Sequence, residues 1–128
     1  MRNVLRTSKV LKKYSAKRRK MGALMDGIDL RTLPKINKTK YWILVENEFP
    51  YDKIASKHHL LVPLRKFKYD DEMTAAERDN LFLIKKDFTQ EKRYDAILET
   101  LGHNRSIPDH YHIHCITFHY VTPVKDLK

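Results

Sequence analysis

The spacing of apolar residues predicts two neighbouring strands in the first half of the chain. Residues 41–45 are aromatic and β-branched, which is typical of a buried strand, and this strand should end near Pro50. A predicted turn over 52–57 leads to a second apolar run at 58–62, which Pro63 closes or places at a sheet edge. We expect these two strands to pair in antiparallel orientation.

The pattern then changes to helical spacing over residues 74–90. Thr74 and Glu77 have the capping-box arrangement, in which the hydroxyl and the carboxylate bind free amides at a helix start. Apolar residues recur at i, i+3 and i+7, so one face of this helix should lie on a sheet. These residues are Leu81, Ile84 and Phe88.

Two more strands are predicted over 94–101 and 111–118, and the loop 102–109 separates them. Residues 21–40, which hold Gly and Pro, form a mixed connector between the N-terminal segment and the first strand. Paired strands around one central helix indicate an α+β fold with a mainly antiparallel sheet.

The composition fits one small soluble domain of 128 residues. No apolar run approaches the roughly 18 residues that a membrane span needs, and the N-terminus lacks the apolar centre of a secretory signal. The single cysteine, Cys115, cannot form an internal disulfide, and we expect it to be a core residue. These features predict a protein of the cytoplasm, without membrane contact.

The net charge of +10 is concentrated in an N-terminal arm, residues 1–20, which precedes a body over 21–128. The arm holds nine basic residues and no acid, whereas the body holds 17 basic and 16 acidic residues. One interpretation is contact with RNA or another polyanion, and a mitochondrial targeting segment is a weaker one. The other is a helix that packs on the body through its apolar pairs, which are Val4 with Leu11 and Val10 with Tyr14.

Candidate chemistry lies in the last predicted strand, where His110, His112 and His114 alternate with other residues. Alternation on a strand places the three imidazoles on one face and directs Tyr111 and Cys115 to the other. A hydrogen-bonded row without chemistry is one interpretation, and a metal site is another. A straight strand separates residues i and i+4 by roughly 13 Å, however, so the outer two histidines could hardly bind one ion.

A third interpretation is nucleophilic catalysis at phosphorus. A neutral imidazole is a good nucleophile near pH 7 because its unperturbed pKa is about 6.5, and its cation is a reactive phosphoryl carrier. Flanking imidazoles can donate to phosphate oxygens, orient the middle ring and move a proton to the leaving group. This interpretation gives all three histidines a role.

The motif His110-x-His112-x-His114 resembles the signature of the histidine triad family of nucleotide hydrolases and transferases. The upstream stretch 42–63, which includes His58, is similar to the first half of that family in order and spacing. The resemblance covers roughly residues 41–120, so the basic arm lies outside it. It implies an antiparallel sheet with one main helix, and it implies a homodimer.

The resemblance also implies roles for individual residues. His112 matches the nucleophile that forms a nucleotidyl-imidazole intermediate, His110 and His114 match its phosphate-binding neighbours, and His58 matches the upstream histidine of the network. Asn47 falls where the family contacts the ribose. The residues assigned to the base pocket are Phe49 and Ile43.

The loop before the motif departs from the family pattern. Family members commonly carry a hydroxyl residue three positions before the first histidine, where this chain has Ile107. Ser106 lies four positions before it, so Ser106 or Arg105 is the expected phosphate contact, and Glu99 replaces a common Asn. The zinc-binding cysteines of some members are missing, and no metal or other cofactor is expected.

Together these observations predict a hydrolase or transferase that cleaves a nucleoside phosphate ester, anhydride or phosphoramidate through covalent catalysis at His112. The expected substrate is a nucleotide, a purine nucleotide before a pyrimidine one. The alternative is a weakly catalytic nucleotide- or RNA-binding module that uses the basic arm. A metal-dependent enzyme is the third hypothesis, and full activity in excess chelator would exclude it.

Overall fold

The computed structural model describes residues 2–22, 24, 29–101 and 110–119. Three helices and five strands lie in these ranges, with two short 3-10 turns at Leu30–Thr32 and Asp70–Glu72. The helices are α1 (Arg2–Leu5), α2 (Ser8–Met21) and α3 (Ala75–Glu91). The strands are β1 (Lys35–Lys38), β2 (Trp42–Glu46), β3 (Ala55–Pro63), β4 (Ala96–Leu98) and β5 (Ile113–Phe118).

The five strands form one antiparallel sheet in the order β1-β2-β3-β5-β4. β3 and β5 pair at the centre, where Leu60 lies opposite His114 and His58 lies opposite Ile116. At one edge, β4 exposes Ile97. This architecture confirms the predicted α+β fold with an antiparallel sheet and one main helix. The homodimer stays a prediction.

Helix α3 covers one face of the sheet. Leu81 and Ile84 are buried there, Phe88 packs against the same cluster, and Trp42 donates its indole N–H to the Glu77 carbonyl. The helix begins as predicted, because the Thr74 hydroxyl accepts from the Glu77 amide while the Glu77 carboxylate accepts from the Thr74 amide. The core under α3 also holds Tyr111, Ile113 and Cys115.

Five boundaries differ from the sequence prediction. β2 ends at Glu46 and not near Pro50, and β5 starts at Ile113 and not at residue 111. β1 lies in the segment 21–40, which the sequence predicts as a connector from its Gly and Pro residues, but its four exposed residues form a strand by pairing with β2. β3 starts at Ala55, inside the predicted turn. β4 is only Ala96–Leu98, because Leu98 already lies opposite His114 and the partner strand begins just one residue earlier, at Ile113.

The basic arm is helical and packs on the loop that follows β2. The Tyr14 ring meets the Phe49 ring edge-on, with centroids 5.4 Å apart, and Thr7 donates from its amide and its hydroxyl to the Asp52 carboxylate. Val10 joins the same contact, as predicted, but Val4 is 67% exposed and Leu5 packs in its place. α2 continues to Met21. The division at residue 20 remains a prediction.

Within the described ranges, no helix is long and apolar enough to cross a membrane.

Candidate functional site

The histidines gather on the sheet face opposite α3. His114 on β5 and His58 on β3 share this face, since the residues opposite them, Leu60 and Ile116, point the same way. The ring centroids of His58 and His114 are 5.0 Å apart, and those of His112 and His114 are 5.1 Å apart. All four histidines of the predicted site, including His110, are at most 5% exposed.

Hydrogen bonds determine which nitrogen of His58 and His114 carries the proton. The Tyr51 backbone N–H donates to Nδ1 of His58 at 2.9 Å, so a neutral His58 carries its proton on Nε2. That Nε2 lies 2.8 Å from Nδ1 of His114, which must therefore accept. His114 in turn holds its proton on Nε2. The series of hydrogen bonds from Tyr51 through His58 thus makes His114 a hydrogen-bond donor at Nε2.

The tautomer of His112 is set by its own segment of backbone. Its Nδ1 lies 2.7 Å from the carbonyl oxygen of His110, and a carbonyl only accepts, so Nδ1 carries the proton. The lone pair of a neutral His112 is consequently on Nε2. This nitrogen is the nucleophilic atom that covalent catalysis at phosphorus requires.

His110 presents a buried donor. Its Nδ1 accepts from the Leu30 backbone N–H at 3.4 Å and lies 4.0 Å from the Asp29 carboxylate. The proton of the neutral ring is then on Nε2, which is fully buried and has no hydrogen-bond partner among the described residues. An unsatisfied buried donor costs about 1–3 kcal/mol, so an acceptor that binds here would recover this energy.

Burial keeps these imidazoles neutral. It lowers the pKa of His58 to about 3, with the Arg6 cation as the next contribution, and it lowers the pKa of His114 well below the usual 6.5. Burial also lowers the pKa of His110 to about 4, although the Asp29 carboxylate opposes the shift. His58, His110 and His114 are therefore neutral near pH 7.

These pKa shifts predict a loss of stability in mild acid. Below about pH 6.5 the unfolded chain protonates histidines that the folded protein keeps neutral, so the unfolding free energy should fall by about 1.4 kcal/mol per pH unit for each such histidine. The loss runs from about pH 6.5 towards pH 4 for His58, His110 and His114. Urea unfolding between pH 7 and pH 5 measures it.

Single variants identify the groups responsible for that slope. His58→Gln and His114→Gln should each reduce the slope of the unfolding free energy against pH by about 1.4 kcal/mol per pH unit, which is the contribution of one proton. A pH dependence that is unchanged in both variants would contradict neutral burial of this pair. The substitutions also lower stability at pH 7, so the slope is the informative quantity.

The predicted binding residues lie in separate parts of the structure. Ile43 lies on the histidine face, in a buried apolar cluster with Leu30 and Leu60. Asn47 lies with its amide nitrogen 3.2 Å from each ring nitrogen of His58, and its carbonyl oxygen accepts from the Phe49 amide. The Phe49 ring packs under the arm, in another cluster from Ile43. Ser106 and Arg105 lie outside the described residues.

The structure adds residues that sequence reasoning missed. Tyr51 supplies the amide that sets the His58 tautomer, and its ring stacks on His114 with centroids 5.0 Å apart and planes 25° apart. Leu30 supplies the amide for His110. Both use backbone groups for hydrogen bonding, which side-chain patterns do not reveal. Arg6 reaches Tyr51 from the arm, 45 positions earlier in the chain.

Metal-ligating side chains do not converge on one point in the described ranges. These ranges contain no group of three or more His, Cys, Asp or Glu side chains arranged to hold a metal ion. Cys115 is fully buried beneath α3, and burial raises the pKa of its thiol to about 12. The thiol is a core group, as the alternation of the strand predicts.

No protein-family model matches the chain, and no curated protein matches it. Among solved structures, the chain is similar to a histidine triad protein from Clostridium difficile, determined at 0.95 Å resolution. The two share 17% sequence identity and a TM-score of 0.51, over 79% of this chain and 90% of that protein. This chain has the histidine triad fold.

The histidine triad fold is the one that the motif at residues 110–114 and the stretch 42–63 implied, so that expectation is confirmed. In this fold the sheet carries the imidazoles on one face and α3 on the other. At this level of identity the similarity concerns the fold. What the histidines do is argued from their geometry.

Proposed function

We propose that the protein is a nucleotide hydrolase or transferase that forms a covalent nucleotidyl intermediate on His112. The observation that carries this proposal is the 2.7 Å hydrogen bond from His112 Nδ1 to the His110 carbonyl, which directs the lone pair to Nε2. A row of hydrogen-bonded structural histidines would not need one ring to present a basic nitrogen beside two rings that present N–H groups.

In the first step, Nε2 of His112 attacks the phosphorus that bears the nucleoside. A P–N bond forms, the bond from phosphorus to the leaving group breaks, and the leaving atom takes the bonding pair. His112 becomes a nucleotidyl imidazolium, whose Nδ1–H remains hydrogen-bonded to the His110 carbonyl. The Nε2–H of His114 donates to the leaving atom and stabilises its negative charge.

In the second step, water attacks the same phosphorus and the P–N bond breaks. The bonding pair returns to Nε2 of His112. One proton of the water stays on the nucleoside monophosphate product, and the other passes to the anion that left in the first step. An alcohol or amine in place of water would give transfer. The buried Nε2–H of His110 is suited to donate to a non-bridging phosphate oxygen in both steps.

The rest of the substrate would lie along the same face of the sheet. Ile43 and Leu30 offer an apolar surface for the base, and Asn47 lies beside His58, where it is the proposed ribose contact. Phe49 is covered by the arm helix, so any contact with the base would be made from under that helix. The loop that holds Arg105 and Ser106 remains the proposed phosphate contact.

Intact-mass spectrometry tests this proposal. The protein is mixed with adenosine 5′-phosphoramidate and with the guanosine analogue, and each reaction is quenched without acid because phosphoimidazoles are acid-labile. A transient mass increase of one nucleoside monophosphate, together with release of the monophosphate, supports the mechanism. Failure to detect an adduct or turnover with either base, or with a dinucleoside polyphosphate, would reject it.

A second function, RNA binding through the arm, is favoured by the outer surface of α2. While Tyr14 packs inward, the basic residues at helical spacing on the opposite side are exposed, and none of them forms an ion pair with a described residue. These residues are Lys9, Lys12, Lys13, Arg19 and Lys20. We propose that this surface, the basic face of α2, contacts the backbone of single-stranded RNA.

Replacing the five residues of the basic face with Gln should weaken binding of a labelled single-stranded RNA by about tenfold or more. It should also reduce the slope of log affinity against log salt by about 0.7 for each phosphate contact that is lost. Fluorescence anisotropy measures both quantities. The matched control removes charge from exposed lysines of the body, at Lys35, Lys38, Lys68, Lys86 and Lys92.

Three outcomes are informative. Loss of RNA affinity in the arm variant alone, with phosphoramidate hydrolysis retained, makes the arm an accessory surface. Equal losses in the two variants mean that net charge alone holds RNA, and the basic face is then not a specific site. No RNA affinity in the wild-type protein rejects this second function.

A further inference from the structure

The N-terminal arm reaches the histidine network through one buried side chain, Arg6. Arg6 is 4% exposed, and its Nε–H donates to the Phe49 carbonyl at 2.9 Å. The guanidinium carbon lies 4.8 Å from the centre of the Tyr14 ring and 4.9 Å from the centre of the Tyr51 ring. Arg6 is thus held between an arm residue and a residue of the β2–β3 loop.

Tyr51 continues this stack into the site. One contact of its ring is Arg6, and others are His114, at 5.0 Å, and His58, at 4.7 Å. Its backbone amide is the donor that sets the His58 tautomer. A residue that fixes Tyr51 therefore influences both the position of the His114 ring and the proton arrangement of the pair.

The arm is attached at this point by several other contacts. The Leu5 carbonyl accepts from the Lys53 amide, and the Asp52 carboxylate accepts from the backbone amide and the hydroxyl of Thr7. These bonds flank Arg6 in the arm and attach it to Asp52 and Lys53, the two residues that follow Tyr51 in the loop. The buried cation is consequently positioned by the fold rather than by chance contact with solvent-exposed side chains.

We propose that Arg6 is a positioning residue for the His58–His114 pair, which it serves by clamping Tyr51 against both imidazoles and by placing a fixed positive charge behind them. This inference rests on the proposed function, in which His114 must be neutral and donate from Nε2. It makes the arm, which lies outside the family resemblance, a working part of the catalytic site.

Charge explains why a cation would be useful in this place. A nearby positive charge disfavours protonation of an imidazole. After burial, Arg6 is the largest contribution to the lowered pKa of His58, and for His114 it follows burial, His112 and His58. The other groups that act on the pair are His112, which faces both rings, and His59, which acts on His58 from the next position along β3. Asn47 adds a neutral amide beside His58.

Histidine titration by ¹⁵N NMR tests the proposal without substrate. Arg6→Gln removes the charge but keeps a side-chain N–H that can reach the Phe49 carbonyl, Arg6→Lys keeps the charge, and Lys53→Gln removes an exposed charge close to the same loop. We expect Arg6→Gln to raise the titration midpoint of His58 by about one pH unit and to raise that of His114 in the same direction by less. Arg6→Lys and Lys53→Gln should stay close to wild type.

The acid limb of kcat/KM should move in the same direction as the NMR midpoints. Equal midpoints in Arg6→Gln and wild type would overturn the proposal, even for an active enzyme. A shift of the midpoints in a protein that hydrolyses no nucleotide would instead preserve the role of Arg6 and reject the proposed function. If Arg6→Gln does not fold, Arg6→Lys decides, because midpoints displaced despite the retained charge would contradict the electrostatic part.

Discussion

Replacement of His112 by Ala should lower kcat/KM for a nucleoside phosphoramidate by at least about 10⁴-fold, because the variant lacks the atom that forms the P–N bond. The nucleotidyl adduct should disappear with the activity. His110 and His114 cannot take over as nucleophile, since in their neutral forms both direct an N–H, and not a lone pair, from Nε2. Steady-state kinetics and intact mass measure the two losses.

His59→Gln provides the matched control. His59 is adjacent to His58 in sequence but lies on the other face of β3, where its Nδ1 is 2.6 Å from the Tyr94 hydroxyl. This variant removes an imidazole from the same strand and should keep both the activity and the adduct. Imidazole added to His112→Gly should restore part of the turnover. An adduct of normal mass on His112→Ala would show that another residue is the nucleophile.

The second large effect concerns His114, for which the Gln and Asn variants should differ in activity. The side-chain nitrogen of Gln can occupy the position of the imidazole Nε2, and that of Asn the position of Nδ1. Because the bond from His58 makes His114 a donor at Nε2, Gln should retain more activity than Asn. Loss of a donor to developing charge costs about 10²–10³-fold in kcat, and His114→Asn should show the full loss.

Leaving-group dependence distinguishes this role from a merely structural one. If His114 stabilises the departing atom, the loss in His114→Asn should be largest for poor leaving groups and should shrink for an aryl phosphate ester of low leaving-group pKa. A packing defect would reduce the activity towards all substrates equally. Similar activities for the Gln and Asn variants would contradict the tautomer assigned to His114.

Much of the fold could be predicted because its signals are local. The capping box at Thr74 and the spacing of Leu81 and Ile84 placed α3 within one residue of its observed start and end. The strand signals at 41–45 and 58–62 placed β2 and β3 for the same reason. β1 was not predicted because its residues are exposed and give no burial pattern, and the strand depends on pairing with β2.

The candidate site was predictable to the extent that its residues share a strand. Alternation brought His112 and His114 to one face, and the resemblance added His58, which the fold places 2.8 Å from His114. Phe49 shows the limit of such reasoning, since its ring packs against the arm helix in a cluster separate from Ile43. Contact between the arm and the β2–β3 loop joins residues more than 40 positions apart.

The sequence by itself determined the class of fold, the main helix and the face on which the imidazoles lie, because periodicity and capping depend on neighbours within a few residues. Only the tertiary structure decided which nitrogen of each imidazole carries the proton. Those assignments depend on backbone groups of Tyr51, Leu30 and His110. Leu30 lies 80 positions from His110, the ring it binds, and Tyr51 meets His58 only because the loop between β2 and β3 folds back on β3. The burial of Arg6 was likewise decided by packing, because the apolar pairs of the arm predict contact through apolar residues such as Val10 and Tyr14 and not through a basic side chain.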